Sequence, residues 1–248
     1  DYLLNNGIDV VIERKLARKL EKLKKDPNLK NIINTTIKEH PELKDQLKNL
    51  NFNIEFKLLS QSIQDFKSDM AIILGGDGTL LRTQTKMTEE IPIFGINIAT
   101  VGFLTEIEVN ETFDSLKKIL KGEYYLEKRT KLVVSHENHH YSALNEVVVM
   151  TDEPSKMLHF QVQVDGEIIE EFRADGLIIS TPSGSTAYSM SAGGPIVDPN
   201  VGGFIIIPIC PYKLGVRPFI VSDESEIIVK LLKKGKTAVF VMDGQINE

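Results

Sequence analysis

Met70-Ala71-Ile72-Ile73-Leu74-Gly75-Gly76-Asp77-Gly78-Thr79-Leu80-Leu81 decides the reading of the first half of the chain. Five apolar residues run without alternation, the pattern of a strand buried on both faces. Glycine stops the run, and helical spacing restarts from Leu80 to Met87. A buried strand, a glycine-rich turn and a helix, in that order, open a parallel α/β unit. Such a turn aims backbone N–H groups and a helix N-terminus at one point, a setting for an anion. It is not a Walker A loop, because no Gly-Lys-Ser/Thr follows. Nor is it the G-x-G-x-x-G fingerprint, because Leu81 holds the last glycine position.

Working outward, Ile91 to Asn97 reads as a second buried strand, and residues 7–12 as a short one. Residues 13–25 are helix-like and highly charged, with Leu16, Leu20 and Leu23 at helical spacing and a break at Asp26-Pro27-Asn28. Residues 29–50, polar and rich in Lys and Glu, read as an insertion or surface helical pair with a short helix from Pro41. Another strand fits Asn51 to Leu59. Asn110 is placed to cap a helix from Thr112 to Leu120, closed by Gly122. Beyond Gly122 the texture changes to strands at Lys131–Ser135, Tyr141–Met150, Leu158–Val164, Glu167–Phe172, Gly176–Thr181, Phe204–Ile209, Glu226–Leu232 and Thr237–Met242. Asp165-Gly166 is a hairpin turn signal, and a helix fits only Ala187 to Ala192. The expected fold class is therefore α/β plus β. An N-terminal α/β parallel-sheet domain over residues 1–122 carries the glycine corner. A C-terminal, mostly antiparallel β domain follows over 123–248, its last residues free to return to the first domain.

Composition narrows the class. The 248 residues carry 29 Lys and Arg against 35 Asp and Glu, a net charge of −6, with 42% hydrophobic and 26% charged residues. That is ordinary globular usage, without the basic surplus of a generic nucleic-acid binder and without an apolar run of the roughly 18 residues that a spanning helix needs. The single cysteine, Cys210, cannot form an internal disulfide and makes a reducing, cytoplasmic setting the default. The chain opens on Asp1, as the ordered part of a longer chain would, so an organellar leader stays open.

Asp77 is the informative residue. Two like charges about 4 Å apart at an effective dielectric near 20 cost on the order of 4 kcal/mol, so a carboxylate in a phosphate cradle is electrostatically wrong unless it meets something else. It can accept a proton from an attacking hydroxyl or hold Mg²⁺ beside phosphates, both tasks of phosphoryl transfer. The bland reading is a tight turn with Asp77 as a helix cap. Asn145-Glu146 interrupts the apolar run around it; a solvated edge strand is the plain account and a partnered buried pair the other. From Ser180 to Ser189 six Ser and Thr hydroxyls crowd around Gly184, flanked by apolar residues, which suits a polar ligand better than a linker. His136, His139 and His140 lack the spacing of a metal site. Cys210 reads as a small core hydrophobe.

These segments resemble the NAD kinase family. The resemblance rests on Gly75-Gly76-Asp77-Gly78-Thr79, Val101-Gly102-Phe103-Leu104-Thr105, Asn145-Glu146, the block from Asp175-Gly176 to Gly193-Gly194-Pro195, and Pro208-Ile209-Cys210-Pro211 in its eukaryotic flavour. It implies phosphorylation by ATP of the 2′-hydroxyl on the adenosine ribose of NAD, giving NADP, with Mg²⁺ or another divalent cation. Asp77 would orient or deprotonate the hydroxyl, and Gly76 and Gly78 would admit phosphates. Phe103 would pack near adenine, and Asn145 and Glu146 would hold adenosine and its ribose, Glu146 also helping with metal. Thr186, Ala187, Tyr188 and Ser191 would line the adenine pocket. Asp175 would meet the nicotinamide side from a neighbouring subunit, with Cys210 in a binding segment and Asp243 near the site. No residue is assigned as a metal ligand, and cation help falls to Arg82 or Arg173 without a choice between them. A homodimer or homotetramer is implied, and neither a nucleic-acid nor a membrane partner. The family's first strand lies upstream of Asp1, and the family continues past Glu248. Two other readings stay open: a lipid (diacylglycerol-like) kinase sharing the glycine motif, and a non-catalytic NAD-binding regulatory module.

Overall fold

The computed structural model describes residues 2–39, 41, 44, 59–98, 102–105, 107–233 and 235–246. The chain divides into two compact units, Asp1–Tyr125 and Leu126–Glu248.

In the first unit, helix α1 (Tyr2–Asn5) precedes strand β1 (Val11–Glu13), which pairs in parallel with β2 (Leu59–Gln61). Helices α2 (Arg14–Lys24) and α3 (Leu29–Glu39) lie between them in sequence. Glu13, not an Asp or Ser, caps α2, its carboxylate accepting the Leu16 N–H at 2.8 Å. The helix expected from Pro41 and most of the strand expected over Asn51–Leu59 lie outside the described residues. A second sheet runs parallel in the order β3 (Ala71–Leu74), β4 (Ile93–Asn97), β5 (Ile107–Glu108). Between β3 and β4 comes helix α4 (Asp77–Gln84), and after β5 helix α5 (Thr112–Leu120).

Two expectations are corrected here. Strand β3 is buried on one face only: Ala71 and Ile73 are buried, but Ile72 and Leu74 are 38% and 49% exposed. It pairs with β4 alone among the described residues. Asn110 is not a cap. It sits inside a short 3₁₀ turn, Val109–Glu111, whose reciprocal cap is made by Glu108 and Glu111. Gly122, at φ +75°, does close α5.

The second unit is antiparallel throughout. Strands β6 (Leu132–His136) and β7 (His139–Ala143) form a hairpin. A six-stranded sheet holds β8 (Glu146–Thr151), β11 (Gly176–Ser180), β12 (Phe204–Ile209), β13 (Phe219–Val221), β15 (Ala238–Met242) and β16 (Gln245–Ile246), in the order β13-β12-β11-β8-β15-β16. A three-stranded sheet orders β10 (Glu167–Ala174), β9 (Leu158–Val164) and β14 (Ile227–Leu231). The Asp165-Gly166 turn joins β9 to β10 with both residues at positive φ, as a primed hairpin turn requires. Between the sheets pack Leu158, Phe160, Val162, Phe172, Leu177 and Ile206. Ile178, Ile205, Ile207 and Val148 fill the opposite face of the large sheet, so its central strands are buried on both sides and read as near-continuous apolar runs.

The single strand expected over Tyr141–Met150 is two strands in different sheets, broken at Leu144-Asn145. The cause is Asp243. Its carboxylate accepts the backbone N–H groups of Leu144 (2.9 Å), Asn145 (2.8 Å) and Glu146 (3.2 Å), drawing the chain out of one ladder before it enters the next.

Candidate active site

The glycine corner forms where β3 hands over to α4. Gly76 is the N-cap, in extended conformation, and supplies no side chain to bond the first turn. The leading N–H groups of the helix therefore have no intrahelical acceptor, and the helix dipole favours negative charge there. Asp77 makes no cap bond, contrary to the bland reading of it. Its side chain reaches 26 to 28 residues along the chain instead. Oδ2 accepts the Phe103 N–H at 2.8 Å, and Oδ1 accepts the N–H groups of Leu104 and Thr105 at 3.1 Å and the Thr105 hydroxyl at 3.0 Å. Gly102 is required by this approach, since a methyl group on it would overlap the Asp77 carboxylate. Phe103 is left 62% exposed at the tip of the loop, an aromatic face available to a flat ligand. Arg82 folds back over the first turn, its guanidinium 3.4 Å from Thr79 Oγ1, which puts a cation beside Gly78. Sequence reasoning left Arg82 unassigned; only its i+4 spacing from Gly78 hinted at this.

The second unit gathers a separate set. Asn145 and Glu146 are buried, at 8% and 5% exposure, so the solvated-edge account of them is overturned. Three polar atoms of this region, Asn145 Oδ1, Glu146 Oε2 and Ser189 Oγ, are buried with no hydrogen-bond partner among the described residues. Each unpaired buried polar atom costs on the order of 1–3 kcal/mol, which a ligand group can repay. Burial pushes the Glu146 carboxyl up to about 7, with the charge of Asp243 adding to the shift and the Tyr188 backbone N–H opposing it. Near neutral pH this carboxyl can donate or accept, as a ribose hydroxyl demands.

The hydroxyl-rich block is divided in its duties. Thr181 donates to the Leu144 carbonyl at 2.6 Å, Ser180 to that of Asn145 at 3.3 Å and Ser185 to that of Val197 at 3.2 Å, so these three pin the loop rather than await a ligand. Gly184 lies so close to the Asn145 carbonyl that any side chain there would collide with it. Thr186 and Ala187 are half-buried, Tyr188 and Ser191 exposed, and all four follow one another through a 3₁₀ turn and helix α6 (Tyr188–Ser191). Ser189 was missed among the candidates; its place in the Ser-rich run was the signal.

Asp175 stands at the step from β10 to β11. Its backbone is bonded on both sides, N–H to the Ile209 carbonyl and carbonyl from the Thr151 N–H, which sets it beside the Ile209-Cys210 segment. Cys210 is not a core hydrophobe: it is exposed, at φ +47°, where the chain turns out of β12. Arg173 lines a cavity of about 290 Å³ together with His159, Tyr212, Lys233 and Lys236.

The profile of the ATP-NAD kinase N-terminal domain matches residues 1–124, and that of the ATP-NAD kinase C-terminal domain matches residues 144–248. The chain belongs to the ATP-NAD kinase family. It is similar to the NAD kinase of Methanothermobacter thermautotrophicus, at 48% identity over 248 residues, 100% of this chain and 76% of that one. It is likewise similar to the NAD kinase of Methanosphaera stadtmanae, at 48% identity over 234 residues, 88% of this chain and 85% of that one. The crystal structure of an NAD kinase from Archaeoglobus fulgidus in complex with ATP is 34% identical with a TM-score of 0.64, covering 90% of this chain and 82% of its own. Yeast NADH kinase complexed with NADH gives a TM-score of 0.72 at 24% identity, over 89% of this chain and 71% of that one, a likeness of fold. Neither the lipid-kinase reading nor the non-catalytic module draws support from these matches. Among the described residues no helix is long and apolar enough to cross a membrane.

Proposed function

We infer that the chain is an NAD kinase, transferring the terminal phosphoryl group of ATP to the 2′-hydroxyl of the adenosine ribose of NAD and releasing NADP and ADP. The observation that carries this reading is Asp77, a carboxylate fixed by four hydrogen bonds in a glycine corner at a helix N-terminus, in a chain of this family. As the ribose oxygen bonds to the γ-phosphorus and the bond to the ADP oxygen breaks, the hydroxyl proton passes to Asp77. General-base help of this kind contributes about 10²–10⁴-fold. In a loose transition state the rest comes from positioning and charge stabilisation. The amides at Gly76 and Gly78 receive phosphate oxygens, with Arg82 as the nearby cation.

In the second unit Asn145 and Glu146 hold the adenosine through the polar atoms left unpaired there. Phe103, Thr186, Ala187, Tyr188 and Ser191 contact adenine. Asp175 and Cys210 meet the nicotinamide side, Asp175 from a neighbouring subunit of a homodimer or homotetramer. Asp243 supports Asn145 and Glu146 by holding their backbone. A divalent cation, magnesium in the first instance, would neutralise phosphate charge during transfer. A cytoplasmic setting goes with the lone exposed thiol of Cys210.

The test is incubation with NAD, ATP and Mg²⁺ and detection of NADP. Asp77→Asn should lower turnover by about 10²–10⁴-fold while NAD binding, followed by calorimetry, persists. Binding without product, or phosphorylation of a diacylglycerol-like substrate in place of NAD, would overturn the reading.

A further inference from the structure

Resting on that reading, we propose that Thr105 is a positioning residue for phosphoryl transfer: it locks Asp77 so that one acceptor site, on Oδ2, is left for the attacking ribose hydroxyl. An ionised carboxylate offers about four lone-pair sites, two on each oxygen. Oδ1 already receives three donors, the Leu104 N–H, the Thr105 N–H and the Thr105 hydroxyl, one more than its two sites, so two of them share a lone pair and none is left to offer. Oδ2 receives one, the Phe103 N–H, and keeps one site. The terminal torsion of an aspartate is broad and roughly two-fold, so a symmetric set of donors would let the two oxygens exchange roles. The three-to-one arrangement forbids the exchange. It fixes the carboxylate plane and with it the direction of the remaining lone pair.

Thr105 can do this because it is itself held. Its side chain is fully buried. A methyl at Gly95 of β4 would crowd its Cγ2, so the strand backbone lies directly against it. Its carbonyl accepts Asn97 Nδ2 at 3.2 Å, and Asn97 ends the same strand. Support thus runs from β4 through Thr105 to Asp77 Oδ1. Of the four bonds on Asp77 the Thr105 hydroxyl is the one made by a side chain, and so the one that substitution can delete with the backbone intact. Near-attack geometry is steep in distance, which makes an untethered carboxylate costly to turnover even when substrate still binds.

Steady-state NADP formation by the full chain tests the proposal. Thr105→Val keeps the shape and removes the donor. Its kcat should fall about tenfold, the fold-change that loss of one hydrogen bond to a charged group converts to. KM for NAD and for ATP should stay within about twofold, since binding groups are untouched. Thr105→Ser restores the hydroxyl and should bring kcat back to within about threefold of the parent. A merely structural role would lower both variants together, or raise KM with them. An unchanged kcat in Thr105→Val overturns the proposal, as does a Thr105→Ser enzyme that folds by circular dichroism yet stays as slow as Thr105→Val. Should Thr105→Val fail to fold, Thr105→Ala is compared with Thr105→Ser on the same terms. A parent chain that makes no NADP defeats the NAD kinase reading; an active parent with normal Thr105→Val defeats the proposal alone.

Discussion

Asp77 and Asp243 act alike. Each carboxylate collects three consecutive backbone N–H groups from a distant segment, residues 103–105 in one case and 144–146 in the other. Carboxylate to backbone bonds are charge-assisted and about twice as strong as neutral ones, so they fix the loop at 103–105 and the step into β8 at 144–146. The second clamp has an electrostatic consequence. Asp243 faces the buried Glu146, whose carboxyl is raised from 4.5 to about 7. The sign follows from linkage: the folded chain holds this proton more tightly than the unfolded one, so the associated stability is present below pH 4.5 and is lost as pH rises through 7. Glu146→Gln removes the titration. The variant should match the parent near pH 4 and exceed it in unfolding free energy by on the order of 3 kcal/mol at pH 8, read from urea melts across that range. A parent-to-variant difference that does not change with pH would show that Glu146 is not the group responsible. The same substitution should weaken NAD binding, because an amide cannot alternate between donor and acceptor on one atom.

Among the elements, the break between β7 and β8 and the loop at 102–105 do for the site what strands do for the core. The sequence pattern made Tyr141–Met150 one strand, since Ala143-Leu144 and Val147-Val148-Val149 carry the apolar signal and nothing local marks the break. The break is imposed by Asp243, about a hundred residues downstream, and no window of local periodicity can register it. Asp243→Ala would leave three N–H groups without their acceptor. It should cost on the order of 3 kcal/mol in a denaturant midpoint, with NAD affinity falling alongside because Asn145 and Glu146 lose their seat. Gly102→Ala tests the first clamp. The methyl would overlap the carboxylate and force the loop off it, so NADP formation should drop about 10²-fold and the melting temperature should fall as the clamp loosens. What was legible from sequence was whatever local chemistry determines: the glycine corner, the Asp165-Gly166 hairpin, and α5 with its Gly122 terminator. Six of the second-unit strands are bounded within a residue of their apolar runs. What was not legible depends on long-range partners: the one-sided burial of β3, the exposure of Cys210, and the internal use of Thr181, Ser180 and Ser185.

For the whole molecule the question is whether one chain suffices. Tyr212 and Leu214 are 77% and 87% exposed in the loop that follows Cys210, and the Tyr212 N–H bonds the Arg173 carbonyl two residues from Asp175. Apolar side chains standing in solvent next to a residue assigned to a neighbour's nicotinamide are what a subunit contact would cover. Light scattering should therefore give a multiple of 27.8 kDa, and Leu214→Asp should shift the mass towards a single chain with loss of activity. Mixing decides the point more sharply. Asp77→Asn and Asp175→Ala each disable every site in their own homo-oligomers if the two acids serve one NAD from different chains. In a mixed pair one site holds both defects and the other holds neither. Random exchange of equal amounts in a dimer makes half the pairs mixed, so about a quarter of parental activity should return on mixing two impaired proteins. Were Asp175 to serve its own chain, each chain in the mixed pair would still carry its own defect, and the blend would be no faster than the average of its parts.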